Sequence, residues 1–285
     1  MDQNLPGNTP QLFAPSVVNT AEIEINTVFN SSFTELFFTR IVNGSFIIYH
    51  SELVNNSWSK PNPIQMFDNK QAKSVAIDPT ITKEGDTMYF LGVNPEDHSN
   101  STPPDIYSSQ KVDGKWQIAT RVEFPISTDE YAESYPVVVA DGSLYFESDR
   151  PGGFGKRDIY RAQYLEEGMF DIPVNIGPAI NSEKSARSTF VASDESFLIT
   201  SNITEEKGFF IAFKTNNEWQ TPTKFELGEL LDDEWIYFCP YMSPDNKFFF
   251  FSKRYNDPAV SGWKGVTRGE VYWLEAGHIL DLNTK

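Results

Sequence analysis

The stretch Pro136–Tyr160, which reads PVVVADGSLYFESDRPGGFGKRDIY, decides the fold of this chain. It opens with an apolar run, and Asp141-Gly142 separates that run from a second one, LYF. Asp-Gly between two such runs is a strong signal of a tight hairpin, because glycine tolerates positive φ. After a glycine-rich loop the triplet DIY predicts a third strand, and Phe170 introduces a fourth segment. The stretch therefore predicts one four-stranded antiparallel unit.

The same unit recurs at intervals of about 50 residues, a spacing typical of propeller blades. Its second strand aligns best, and the copies of that strand are Glu35–Phe38, Thr87–Phe90, Ser143–Ser148, Phe197–Ile199 and Phe248–Ser252. We therefore predict an all-β fold, a β-propeller of four-stranded antiparallel blades. Five blades agree best with the repeat, and six blades are the alternative. The Trp or Phe that introduces each fourth segment is expected to pack between blades.

A single propeller domain spanning residues 1–285 is predicted, since no shift in composition marks a second domain. The predicted blades are residues about 20–66, 67–125, 126–178, 179–226, and 227–280 together with 10–19. The fifth repeat ends soon after Trp273 without a fourth segment, and residues 10–19 resemble the segment that precedes the fourth repeat. We expect this N-terminal strand to close the last blade, because closure removes open sheet edges.

The repeats resemble the WD-like propeller repeats of TolB-type proteins. The resemblance rests on SPDN at Ser243–Asn246, LYF at Leu144–Phe146, SDRPGG at Ser148–Gly153 and DIY at Asp158–Tyr160. It extends over nearly the whole chain, although the first and fourth repeats lack the Pro-Asp-Gly-like turn and the DIY triplet. It implies a propeller of the bacterial cell-envelope type that binds a protein or another ligand, and it is specific for fold rather than for function.

The charge and the termini limit the partners and the location. A formal net charge of −17 argues against nucleic acid, which needs a basic footprint. No apolar stretch approaches the roughly 18 residues of a membrane span. The first seven residues lack the basic and apolar regions of a signal peptide. We therefore expect a periplasmic or otherwise exported protein if a signal peptide has been removed, and a cytoplasmic protein otherwise.

Basic residues gather on the loops that would share one face of the propeller, those before first strands and those between second and third strands. Guanidinium groups pair with carboxylates or phosphates, so this funnel would draw an anionic ligand, and neighbouring aromatic rings could stack on a saccharide. The alternative is that the arginines pair with acids of neighbouring blades. The candidate ligand-binding residues are Arg150, Arg157, Arg187, Arg254, Glu133, Tyr135, Glu234 and Trp235.

Catalytic signals are weak. His50, His98 and His278 are scattered without metal-ligand spacing, and no Gly-x-Ser-x-Gly motif occurs, so we predict no catalytic residue, no metal and no cofactor. The sequence favours a non-catalytic propeller that binds a protein, or an anionic or saccharide ligand, on its channel face. The alternative is a carbohydrate-active enzyme, a glycoside hydrolase or lyase, that uses carboxylates such as Glu234 and arginines of the funnel.

Overall fold

The computed structural model describes residues 3–68, 74–94, 103–183, 187–202, 207–227, 235–260 and 262–284. Regular structure in these residues is almost entirely β-strand. The helical exceptions there are one α-helical turn, α1 (Gly277–Leu280), and the 3-10 turns Gly262–Gly265 and Asp281–Thr284. None of the described helices is long and apolar enough to cross a membrane. The prediction of an all-β fold is confirmed.

Antiparallel pairing in the described residues groups the long strands into successive strand sets, numbered here along the chain. Set 1 consists of β2 (Ile23–Phe29), β3 (Glu35–Val42), β4 (Ser45–Val54) and β6 (Asn62–Pro63), and set 2 of β7 (Val75–Ile81), β8 (Thr87–Val93), β9 (Asp105–Val112) and β11 (Thr120–Arg121). Set 3 consists of β12 (Glu133–Val138), β13 (Leu144–Ser148), β14 (Asp158–Ala162) and β15 (Val174–Asn175), and set 4 of β16 (Arg187–Val191), β17 (Phe197–Asn202), β18 (Gly208–Thr215) and β20 (Thr223–Phe225). Set 5 consists of β21 (Trp235–Met242), β22 (Phe248–Asn256), β23 (Val266–Glu275) and β1 (Gln11–Leu12).

Three two-residue strands extend the third strands of their sets as tight hairpins: β5 (Ser57–Trp58), β10 (Lys115–Trp116) and β19 (Glu218–Trp219). Positive φ at both turn residues, as at Asp113 and Gly114, is the geometry that two-residue hairpins prefer. The hairpins carry the tryptophans that introduce the fourth segments. Trp116 of set 2 lies edge-on against Phe37 of set 1, with ring centroids 5.8 Å apart. The prediction that this marker packs between neighbouring repeats is confirmed.

The hydrophobic core is divided among the spaces between neighbouring strand sets. Each space is filled mainly by aromatic and branched side chains, whose burial stabilises the fold by about 1.5–3 kcal/mol per residue. Representative buried pairs are Phe37 and Phe90 between sets 1 and 2, Tyr89 and Phe146 between sets 2 and 3, Tyr145 and Leu198 between sets 3 and 4, Phe209 and Phe249 between sets 4 and 5, and Phe250 and Phe38 between sets 5 and 1.

The N-terminal segment lies against the last strand set. Gln11 and Leu12 pair antiparallel with Trp273 and Tyr272 of β23. Phe13 is fully buried, and its ring lies 5.0 Å from Phe250 and 5.3 Å from Trp273. These contacts make β1 the fourth strand of set 5.

Every first strand of a set contains a β-bulge at the same position. The residue at the bulge has positive φ in each case, and the five residues are Asn26 (56°), Asp78 (58°), Tyr135 (49°), Ser188 (47°) and Cys239 (50°). Non-glycine residues seldom adopt this conformation, and bulges turn a side chain away from the alternation of the strand. We call these five residues the central ring.

Candidate functional site

The central ring is a connected polar cluster. The side-chain amide of Asn26 donates to Asp78 Oδ1 at 2.5 Å, and Cys239 Sγ lies 3.9 Å from the same oxygen. The backbone N–H of Cys239 donates to Ser188 Oγ at 3.0 Å. Burial, and next the neighbouring Asp78 charge, raises the pKa of the Tyr135 phenol. Side chains from all five first strands therefore meet at the centre of the molecule.

A cavity of about 540 Å³ lies on one side of the central ring. Its walls come from the residues that follow the bulge in every first strand, and they combine apolar and polar surface in similar amounts. The apolar lining residues include Val28, Ile81, Val137, Phe190, Tyr241 and Met242. Its rim, formed by the turns between first and second strands, carries Lys83 and Asp194. Cavities of this size with apolar side chains and a few convergent polar groups in their lining are typical small-molecule sites.

Asp78 is the carboxyl group of the cavity floor and is only 4% exposed. Burial raises its pKa to about 7, against the opposing hydrogen bonds from Asn26 and Cys239 and the charge of Arg254. Both hydrogen bonds reach Oδ1. Oδ2 accepts no hydrogen bond from any residue that the structure describes. The floor of the cavity therefore presents an acceptor whose charge changes near neutral pH.

The opposite ends of the first strands are covered by apolar side chains. Trp263, from the 3-10 turn between β22 and β23, lies edge-on against Phe46 at 5.2 Å and against Phe238 at 6.1 Å. The Arg254 guanidinium stacks on Trp263 at 4.3 Å and on Phe238 at 5.0 Å. The described cavity consequently opens toward the turns between first and second strands, whereas the sequence pointed to the loops at the other ends of these strands.

Of the predicted ligand-binding residues, Arg150 has its guanidinium engaged within the protein. It donates to the carbonyl of Ile126 at 2.7 Å and pairs with Glu133 at 3.1 Å. It also stacks on Phe146 and Tyr160 of its own strand set. Burial raises the pKa of Glu133, and the Arg150 charge opposes this shift. The Arg150–Glu133 pair is the arrangement that the alternative interpretation of the arginines described.

The other predicted residues are spread over the described structure. Arg157 donates to Ser134 Oγ at 3.2 Å, and half-buried Tyr135 belongs to the central ring. The Trp235 ring lies 4.3 Å from Lys253 Nζ and 5.0 Å from the Arg268 guanidinium. Glu234 and the side chain of Arg187 lie outside the described residues. The structure therefore brings Glu133 and Arg150 together and assigns Tyr135 to the cavity.

Four members of the central ring were missed as site residues by the sequence analysis: Asn26, Asp78, Ser188 and Cys239. Cys239 was interpreted as core, and it is buried. A usable signal exists, because proline follows the ring residue in three repeats, at Pro79, Pro136 and Pro240. Proline lacks an N–H and is confined to edges and bulges of a sheet, so proline inside an inner strand marks the bulge.

A second polar cluster consists of Glu35, His50 and Glu52, which could offer three ligand atoms within 4.8 Å of one another. Lys111 forms an ion pair with Glu35 at 2.5 Å, and the hydrogen bond from His50, followed by that from Lys111, lowers the Glu35 pKa to about 2. Because a lysine ammonium occupies the carboxylate that a metal ion would need, this cluster is best described as an ion-pair network.

No protein-family profile matches the chain, and no curated protein matches its sequence. Solved structures match its fold. The catalytic domain of the GH62 α-L-arabinofuranosidase of Coprinopsis cinerea superposes with a TM-score of 0.57 at 10% identity, over 96% of this chain and 95% of that chain. The α-L-arabinofuranosidase of Podospora anserina gives a TM-score of 0.52 at 12% identity, over 94% of this chain and 93% of that chain.

TolB from Acinetobacter baumannii superposes with a TM-score of 0.49 at 14% identity and covers 90% of this chain. This chain spans 57% of the length of that TolB chain. At such identities the comparisons concern the fold alone, and the two arabinofuranosidases are propeller-type structures. The chain therefore has an all-β fold of the β-propeller type, and its activity has to be argued from its own residues.

Proposed function

We propose that this chain is a non-catalytic β-propeller that binds a small molecule in its central cavity. The five strand sets are the five blades of one domain spanning residues 1–285, and the N-terminal strand β1 closes the ring. Two observations support closure. Sets 5 and 1 pack on each other through Phe13, Phe29, Phe38 and Phe250, and β1 completes the last set. A closed ring has no open sheet edge, which avoids edge-to-edge aggregation.

The observation that carries the binding proposal is the composition of the cavity. Walls with aromatic and aliphatic residues surround a floor whose polar atoms converge from five separate strands. Positive φ at five equivalent non-glycine residues costs of the order of 1 kcal/mol each, and such strain concentrates at functional sites. A floor built in this way supports a role in ligand recognition.

Binding is favoured over hydrolysis by the spacing of the carboxylates that line the cavity. Asp78 lies at the floor, and Asp194 lies six residues beyond the ring position of its own strand. The strand residues Ser188 to Val191 alone rise about 10 Å at about 3.3 Å per residue, and the turn that carries Asp194 lies beyond them. Glycosidase carboxyl pairs are separated by about 5–9.5 Å. The described lining therefore lacks a pair of carboxylates at catalytic separation.

A carbohydrate-active enzyme is the second candidate, and one observation favours it. The pKa of Asp78 is raised to about 7, which is where a general acid or base works best at neutral pH. Under this candidate, a second carboxylate would have to come from residues outside the described lining.

The loop-rich face at the other ends of the first strands is proposed as a second surface, for a protein partner or for an anionic or saccharide ligand. Arg157 is half-buried there, with one hydrogen bond to Ser134. Arg150 contributes little to this surface because its guanidinium is committed to Glu133 and to backbone carbonyls. A periplasmic location belongs to this proposal and rests on the resemblance of the repeats.

The binding proposal is tested by ligand-observed NMR with a library of small amines, alcohols, sugars and carboxylates. We expect hits that bind the wild-type protein and are lost in Val137→Trp, which fills the cavity from its wall. Val174→Trp is the matched control, because Val174 lies on the outer strand of the same set and is 68% exposed. Hits that survive Val137→Trp would contradict the proposal. Glycan turnover that Asp78→Asn abolishes would favour the enzyme.

A further inference from the structure

We propose that the central cavity binds a small organic cation, with its ammonium group against Asp78 Oδ2 and its hydrocarbon part between Val137, Phe190 and Tyr241. This inference rests on the proposed function, since it names the ligand class of the same cavity. It concerns charge, so a failure of the inference can be separated from a failure of the cavity as a binding site.

The two carboxylate oxygens of Asp78 differ in their hydrogen bonds. Oδ1 receives the Asn26 amide and the Cys239 thiol, whereas Oδ2 accepts nothing from the described residues. A carboxylate oxygen can accept more than one hydrogen bond, so Oδ2 has the capacity to accept one from a donor that enters the cavity. Because Asp78 is a lining residue of the cavity, a donor supplied by a ligand would complete its hydrogen bonds.

The cavity wall also contains aromatic rings. Phe190 and Tyr241 lie in contact on the cavity wall, with ring centroids 5.4 Å apart in an edge-to-face arrangement. The Tyr241 hydroxyl donates to the carbonyl of Phe29 at 3.3 Å, so this ring contributes mainly its apolar surface. Aromatic faces attract organic cations, and a carboxylate at the end of an aromatic-walled cavity strengthens that preference.

The charges around the cavity floor also favour a cationic ligand. The rim groups Lys83 and Asp194 have opposite signs, so Asp78 sets the charge of the interior. Arg254 lies near Asp78 and lowers its pKa, but burial outweighs this effect. Burial of an ionised carboxylate without a full counter-charge is costly, and a cationic ligand would supply the missing charge. The net charge of −17 also raises the local concentration of cations.

These charges predict a pH dependence. Asp78 faces Asn26 from β2, Tyr135 from β12, Cys239 from β21 and Arg254 from β22. Burial raises the pKa values of Tyr135 and Cys239, so both stay neutral between pH 6 and 8, and arginine stays cationic. Protonation of Asp78 thus removes the charge that the ligand needs. A cation should bind about tenfold more weakly at pH 6 than at pH 8.

The test uses benzylamine, benzyl alcohol and benzoate, which share one ring and differ in charge. Calorimetry at pH 8 should show that benzylamine binds the protein at least tenfold more tightly than the other two compounds. Val137→Trp should abolish benzylamine binding. Asp78→Asn should remove the preference for the amine. Asp171→Asn, the same change at an exposed residue outside the cavity lining, should keep that preference within about twofold. The pH titration of the wild-type protein needs no variant and decides the question if Asp78→Asn does not fold.

The outcomes separate the two proposals. Benzyl alcohol or benzoate that binds as tightly as benzylamine, in a manner sensitive to Val137→Trp, would overturn the cation and leave the cavity as a binding site. An amine preference that persists in Asp78→Asn, or an affinity independent of pH between 6 and 8, would also overturn it. No binding of any of the three probes, together with no hit from the NMR library, would overturn both proposals.

Discussion

Glu133 and Asp78 are two buried carboxyls on neighbouring first strands, and burial raises the pKa of each. Their surroundings differ. Glu133 receives hydrogen bonds from the backbone of Thr128 at 3.1 Å, Ser148 Oγ at 3.0 Å and Arg150 at 3.1 Å. Asp78 has donors on one oxygen and a cavity beside it. A raised pKa is therefore no sufficient sign of a ligand site, whereas an incomplete set of hydrogen bonds facing a cavity is a stronger one.

Under the proposed closure, β1 holds the first strands of all five sets in one ring, and removal of β1 would open that ring. Deletion of residues 1–20 removes β1 and the fully buried Phe13. Loss of a buried Phe side chain alone costs about 3–5 kcal/mol, so the deletion should lower the free energy of unfolding by roughly 5 kcal/mol or more. Chemical denaturation measures it.

Leu5→Ala is the control for that deletion, because Leu5 is 64% exposed and its loss should change stability by less than about 0.5 kcal/mol. An unchanged denaturation midpoint in the deletion protein would contradict closure by β1.

Arg150→Ala tests the structural role of Glu133. This change leaves the Glu133 carboxyl buried without its charged partner, which typically costs about 3–5 kcal/mol. The denaturation midpoint should fall accordingly, while binding in the cavity stays intact. Arg157→Ala serves as the control, since it removes one hydrogen bond from a half-buried side chain and should cost about 1 kcal/mol or less. Equal effects of the two changes would argue against a structural role for the Arg150–Glu133 pair.

The raised pKa of Asp78 predicts an unusual pH dependence of stability. The folded-state pKa of Asp78, about 7, lies above its unfolded value, so the folded protein binds this proton more tightly. Stability that Asp78 contributes in its protonated form is consequently lost as pH rises from about 4 to about 7. Asp78→Asn cannot titrate. Relative to wild type, its free energy of unfolding should rise by roughly 2.5–3 kcal/mol between pH 5 and pH 8, because two of these pH units lie below the folded-state pKa of about 7.

Urea denaturation of both proteins across that pH range gives the difference. A constant difference between Asp78→Asn and wild type from pH 5 to pH 8 would mean that Asp78 does not titrate near neutrality.

The repeating architecture could be predicted from the sequence because its signals are local. Alternating apolar runs, Asp-Gly at Asp141-Gly142 and the Trp or Phe before the fourth segments of the first four repeats are each determined by neighbours along the chain. The pairing of β1 with β23 was expected from the missing fourth segment after Trp273, and Gln11 and Leu12 do pair there.

The cavity could not be predicted in the same way, because it depends on which side chains converge from five distant strands. Asp78 lies in an apolar run and belongs to no sequence motif. Its hydrogen-bond partners are Asn26, 52 residues earlier, and Cys239, 161 residues later. Arg150 was a reasonable candidate by its loop and charge. Its partner Glu133 was also among the candidate residues, but the sequence could not decide whether Arg150 pairs with this acid or binds a ligand.

The central claim, that Asp78 is a titrating carboxyl completed by a cationic ligand, is tested most directly by its own carboxyl resonance. The 13Cγ chemical shift of Asp78, assigned by comparison with Asp78→Asn, is followed against pH with and without saturating benzylamine. The account predicts a midpoint near pH 7 in the free protein, because burial raises the pKa to about 7, and a midpoint at least one pH unit lower with the amine bound. A free-protein midpoint near 4, or one that benzylamine does not move, would contradict the account.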